Sequence, residues 1–170
     1  MELVVLGLGS NREDSRGRRP VHILEEAVSE LGSLLSGMKR ASLYKTKPLH
    51  IRDQPPFYNT AVSGFCSCTP LALLEAIHQI EAAHERNRAR ERRWGERTLD
   101  IDILLFGDRV LSRAPESLEI PHPRLKERAF ALIPLLELLP GAKDPASGVP
   151  YRAILAGLAD QGVETVTVTG

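Results

Sequence analysis

Residues 93–106, Arg93-Trp94-Gly95-Glu96-Arg97-Thr98-Leu99-Asp100-Ile101-Asp102-Ile103-Leu104-Leu105-Phe106, leave the chain less freedom than any other stretch. From Thr98 onward the positions alternate: Leu99, Ile101, Ile103 and Leu105 point one way, and Thr98, Asp100, Asp102 and Leu104 the other. Strand side chains alternate between faces, so the two aspartates share a face, with α-carbons roughly 6.5–7 Å apart. Two carboxylates so placed can bracket a hard cation or a metal pair. Asp is depleted in strands, and like charges side by side repel, which argues for a cation here. The alternative is a strand with one wet face, where Asp is tolerated. Arginines just upstream favour the first reading, because metal plus guanidinium is the equipment for handling polyphosphate.

At 170 residues the chain fits one domain, 1–170, with room for a core. Lys+Arg and Asp+Glu both number 22, so the net charge is zero. A protein that binds nucleic acid through general electrostatics shows a basic excess, and this composition argues against that partner. Arginines 86, 88, 90, 92, 93 and 97 nevertheless make one compact cationic segment, set against Glu85, Glu91 and Glu96. No run approaches ~20 apolar residues, and the N-terminus reads as a short strand rather than a signal peptide. No membrane segment is therefore expected, and the setting is cytoplasmic. Cys66 and Cys68, two apart in a strand-like run, would share a face without good disulfide geometry, and read as reduced packing residues.

Residues 3–9 read as a buried strand that ends in Gly9-Ser10-Asn11 and a polar loop to Arg18. The loop lacks the Lys-Ser/Thr of a P-loop and the third glycine of a dinucleotide fingerprint. Pro20 opens a helix through Val21, Leu24, Ala27, Val28, Leu31 and Leu35. Met38–Thr46 reads as a strand, 46–56 as a proline-bearing loop of functional size, and Phe57–Phe65 as the next strand. Thr69 and Pro70 start a second helix with Leu73, Leu74, Ile77 and Ile80 inward, and Glu81 and His84 follow near that stripe. After the Asp strand, Gly107-Asp108 turns the chain and Val110-Leu111 pairs back. Further elements are a helix from Lys126 to Leu139 kinked at Pro134, a short helix over 151–158 and a last strand over 163–168. This order predicts the α+β class: a ferredoxin-like antiparallel sheet covered by helices, in a single domain.

The chain resembles the hydroxymethyl-dihydropterin pyrophosphokinase family. The resemblance rests on Gly9-Ser10-Asn11, on Asp53-Gln54-Pro55 with Phe57 and Asn59, and on Pro121-His122-Pro123-Arg124-Leu125 with Arg128 and Phe130; it rests most on residues 93–104. These anchors run in family order over about residues 3–139. Glu96 stands where the family commonly has proline, and Phe57 where tyrosine is frequent.

The resemblance implies transfer of a pyrophosphoryl group from ATP to the hydroxymethyl oxygen of a reduced pterin in folate biosynthesis, by a monomer, with release of AMP. It implies two Mg2+ ions held by Asp100 and Asp102, and catalysis by these two with Arg97. ATP falls to Arg86 or Arg88, Arg97, Ile103, His122 and Arg128. The pterin falls to Thr46 and Leu49 of the proline loop, to Asn59 on its amino-pyrimidine edge, to Phe57 and Phe130 as aromatic walls, and to Trp94 on a closing loop. Without the family, either Phe is ordinary core and His122 a stiff turn residue between prolines. Two other classes stay open: a two-metal phosphohydrolase, and a non-catalytic ferredoxin-like module that binds RNA through residues 86–97.

Overall fold

The chain builds β1 (Glu2–Ser10), α1 (Pro20–Leu31), β2 (Ser36–Arg40), β3 (Tyr44–Thr46), β4 (Phe57–Cys66), α2 (Pro70–Ala83), β5 (Asp100–Phe106), β6 (Leu111–Arg113), β7 (Leu118–Ile120), α3 (Ala129–Leu138), α4 (Tyr151–Ala156) and β8 (Val163–Thr165). The structure, a computed structural model, describes residues 1–48, 50–113 and 117–167. Leu49 and Val168, assigned above to the pterin pocket and the last strand, lie outside the described residues. Six strands form one sheet in the order β5-β1-β4-β3-β8, with β2 also on β4, and every pairing is antiparallel. This is the expected α+β, ferredoxin-like arrangement.

The sheet separates two cores. One joins Val4, Leu6 and Leu8 of β1 to Ile23, Leu24 and Leu31 of α1 and to Leu73 and Ile77 of α2. The other joins Val5, Ala61, Leu104 and Leu105 to Leu132 and Leu135 of α3 and Tyr151 of α4. Burying a Leu or Ile contributes about 1.5–3 kcal/mol, so the residues alternating along β1 tie both helix layers to one strand. Helix α2 starts as its sequence dictates: the Thr69 hydroxyl accepts from the Ala72 amide at 3.2 Å, and Pro70 fills the first turn.

Five expectations need correction. The strand expected over 38–46 is two, because Ala41 and Leu43 feed opposite cores, which residues two apart in a regular strand cannot do. Leu105 does not share a face with Ile103: β1 pairs Val5 with Leu105 and Leu6 with Ile103, so Leu104 is an extra residue and the alternation flips there. Leu111 does not pair back on β5 but pairs with Ile120 in a separate two-stranded ribbon, Ile120 filling the first core. The helix expected from Lys126 is a 3-10 turn over Leu125–Glu127, then an extended Arg128 (φ −115°, ψ 98°), then α3. Finally, Cys66 and Cys68 are joined as a disulfide. The strand stops at Cys66 and the chain bends, which brings their α-carbons to 5.5 Å.

Candidate active site

Helix α3 covers only part of its face of the sheet. The rest is the floor of a cleft of about 850 Å³ up to its open mouth. Strand register fixes what stands on that floor. Asn59, Gly9 and Asp100 lie side by side on β4, β1 and β5, and Ala61, Gly7 and Asp102 form the next rung. The central strand therefore offers glycine between the amide and the carboxylates. A Cβ on Gly9 would sit 2.9 Å from Asn59 Oδ1, so this glycine is what allows Asn59 its position. Asn59 Nδ2 donates to the Thr46 hydroxyl, and both residues are buried. Phe57, Trp94 and Phe130 also line the cleft, with Lys47, Arg97 and Arg128 as its cationic walls.

The two carboxylates have different surroundings. Asp100 Oδ1 accepts from Arg86 Nη1 at 2.9 Å and Oδ2 from Arg97 Nη1 at 3.0 Å. Burial acts to raise Asp100, but the Arg86 and Arg97 charges outweigh it and hold the carboxyl below its usual range. Asp102 has His122 Nε2 at 3.7 Å and Arg128 Nη1 at 3.6 Å, both beyond hydrogen-bonding distance. Burial, with the Asp100 charge beside it, pushes Asp102 up to about 7. Burial and Arg128 likewise push His122 down to about 4, so its imidazole is neutral. Among the described residues no cluster of three or more His, Cys, Asp and Glu is placed to hold a metal. The pair alone still fits magnesium, which is bound through one or two carboxylates plus substrate phosphates. Asp102, under-compensated and lining the cleft, would be the oxygen donor offered to such an ion.

The arginine segment divides its labour. Arg97 commits one nitrogen to Asp100, and its buried Nε has no hydrogen-bond partner among the described residues. Arg86, buried, donates to the Leu99 carbonyl as well as to Asp100 and is paired with Glu91. Arg88 is paired with Glu81 at 2.7 Å. Both lie behind β5 rather than in the cleft, as does the side chain of Ile103, which belongs to the first core. His122 stands at the margin of the cleft, beside Asp102. The structure thus brings together Thr46, Phe57, Asn59, Trp94, Arg97, Asp100, Asp102, Arg128 and Phe130, and leaves Arg86, Arg88 and Ile103 outside.

Other residues hold the site, although the sequence assigned them no role in it. Glu81, almost fully buried, accepts from the Ile101 amide at 3.2 Å and from Arg88. Burial and then the Asp100 charge raise its carboxyl, with Arg88 and Arg86 opposing. Its signal in the sequence is a carboxylate at position 81, one step of four beyond Leu73 and Ile77 on an apolar stripe. Asn11 explains the first motif: its Nδ2 donates to Gln54 Oε1 at 3.1 Å and to the Pro55 carbonyl at 3.0 Å, and its Oδ1 accepts from the Arg97 amide at 2.8 Å. Gln54 then donates to the Trp94 carbonyl at 2.9 Å. The first loop joins the same network, Glu85 accepting from the Ser15 amide at 2.8 Å.

A ferredoxin-like α+β fold with paired carboxylates, guanidiniums and aromatic walls around one cleft defines a phosphate-handling site for a flat ligand. The family model described as 7,8-dihydro-6-hydroxymethylpterin-pyrophosphokinase (HPPK) matches residues 5–140, and the chain belongs to that family. It is 39% identical, over 98% of its length and 99% of the relative's, to the 2-amino-4-hydroxy-6-hydroxymethyldihydropteridine pyrophosphokinase of Methylorubrum extorquens. It is 38% identical to the Haemophilus influenzae protein of the same name, covering 78% of this chain and 79% of that one. Among solved structures, Plasmodium falciparum HPPK-DHPS shares the fold with a TM-score of 0.65 at 18% identity over 92% of this chain. The chain spans only 43% of that longer protein.

Proposed function

We propose that this protein transfers the pyrophosphoryl group of ATP to the hydroxymethyl oxygen of 6-hydroxymethyl-7,8-dihydropterin, releasing AMP, a step of folate biosynthesis. The observation that carries this reading is the shared floor: Asn59 on one side of Gly9 and Asp100 on the other place a ring-reading amide and a phosphate-handling carboxylate in one cleft. Asn59 offers both a donor and an acceptor to the ring edge, while Phe57 and Phe130 bind its faces. Arg97 and Arg128, which line the cleft, orient the triphosphate, and their guanidiniums meet charge as it develops on the departing phosphate. His122, neutral, serves the phosphates as a hydrogen-bonding group rather than a charge. Two magnesium ions, held by Asp100 and Asp102, would neutralise charge on the attacking and leaving oxygens. Trp94 and the arginine segment close the cleft against water, which would otherwise take the phosphoryl group.

Residues 1–170 are taken as one pyrophosphokinase domain, because both cores flank a single sheet. A monomer is the proposed working unit. Among the described residues no helix is long and apolar enough to cross a membrane. The proposed setting is the cytoplasm. The decisive experiment is identification of the nucleotide product. AMP, formed only when pterin and magnesium are both present, is the expected result. Phosphate released from ATP without pterin would instead mark a phosphohydrolase, and magnesium-independent RNA binding with steep salt dependence would mark a binding module.

A further inference from the structure

Separate stretches of the chain converge on one indole. The imidazole of His50, from the loop before β4, lies 4.4 Å from Trp94 between ring centroids, tilted by 38°. The guanidinium carbon of Arg124, from the turn after Pro121, lies 4.3 Å from the same centroid, with Arg93 at 5.1 Å and Arg128 at 5.9 Å. His50 Nε2 is 3.4 Å from Arg124 Nη2. A guanidinium has only donors, so the imidazole presents its lone pair there. Arg124 is aimed by Glu127, whose Oε2 accepts from its Nε at 3.1 Å. Trp94 is held at φ 65°, which a bulky residue adopts only where its surroundings require it.

We propose that His50 is a positioning residue for the reaction: with Arg124 it clasps Trp94 and so fixes the rim over the pterin end of the cleft. The inference rests on the pterin reading of that cleft, but the clasp itself does not. His50 is exposed and lines the cleft. Arg93 and Arg128 crowd the same ring, and Glu127 is engaged with Arg124, so His50 and Arg124 bear on Trp94 from separate loops.

The chain has one tryptophan, so its emission reports Trp94 alone. In ligand-free protein, His50→Ala is expected to shift that emission to the red and to raise acrylamide quenching. His50→Phe is expected to keep the stack, and with it the parent's emission and quenching. In turnover, His50→Ala should raise the pterin KM about 2- to 10-fold, the loss of one aromatic contact, with a smaller change in kcat, and His50→Phe should restore most of it. Unchanged emission and quenching in His50→Ala, or a loss in His50→Phe as large as in His50→Ala, would overturn the clasp. These optical readings need no substrate, so their failure is distinct from a failure to form AMP, which counts against the pyrophosphokinase reading alone.

Discussion

Asp100 accepts from two guanidiniums, whereas Asp102 faces Arg128 and His122 across gaps of 3.6 and 3.7 Å. Substituting each by Asn therefore gives opposite results in the ligand-free protein. Asp100→Asn leaves the buried Arg86 short of a charge and should lower stability by about 1–3 kcal/mol. Asp102→Asn removes a repelled charge, and its melting temperature should equal or exceed the parent's. The sign of the pH dependence follows. With Asp102 raised to about 7 from an ordinary 3.8, the fold favours the protonated acid. That contribution is complete below about pH 4 and is lost as pH rises through 7, so denaturation should show Asp102→Asn gaining on the parent from pH 5 to pH 8. Magnesium affinity runs the other way, because the proton competes with the metal, and should weaken below pH 7. A second prediction concerns Gly9. Gly9→Ala pushes Asn59 off its place and should weaken pterin binding by about tenfold or more, with less change for nucleotide; calorimetry with each ligand decides.

Gln54 is the hinge pin between elements: it meets Asn11 after β1, the Ile51 carbonyl in its own loop and the Trp94 carbonyl in the arginine segment. Gln54→Ala should cost only about 1–2 kcal/mol in stability but raise KM for both substrates, which steady-state kinetics beside a melting curve would show. The identity of these motifs was legible because each carries unusual residues in tandem. Their mutual bonding was not, since positions 11, 54 and 94 have no local relation. Alternation likewise revealed the shared face of Asp100 and Asp102 but could not reveal the extra residue at Leu104, which exists only relative to β1. The roles of Arg86 and Arg88 were hidden for a similar reason. Their partners Glu81, Glu91 and Asp100 decide which guanidiniums stay free for an anion, and charge counting along a segment cannot see pairing.

At the scale of the molecule, the cleft exists because the second helix layer stops short. Leu132 and Leu135 of α3 fill one end of that face, and the other end is left for ligand. Leu132→Ala should lower stability by about 2–5 kcal/mol and be read in denaturant unfolding. Ligand completes the layer, so a non-hydrolysable ATP analogue with magnesium at a hundred times its Kd should raise stability by about 2.7 kcal/mol in the parent, and by less in Asp102→Asn.

Strand β5, which carries both aspartates, is the last strand of the sheet. Its outward row of peptide groups is met by side chains and a turn: Glu81 takes the Ile101 amide, Arg86 the Leu99 carbonyl, and the His122 amide the Leu104 carbonyl at 3.1 Å. An uncovered, apolar terminal strand is a template on which other chains add and aggregate. Here the guanidinium that holds Asp100, with Glu81, also stoppers that template. Residues 99–106 are rich in apolar and β-prone side chains, and the ion pairs behind Asp100 cover their outer edge. Replacing Glu81 by Ala should thus show itself first as concentration-dependent self-association in light scattering, before any effect on turnover is sought.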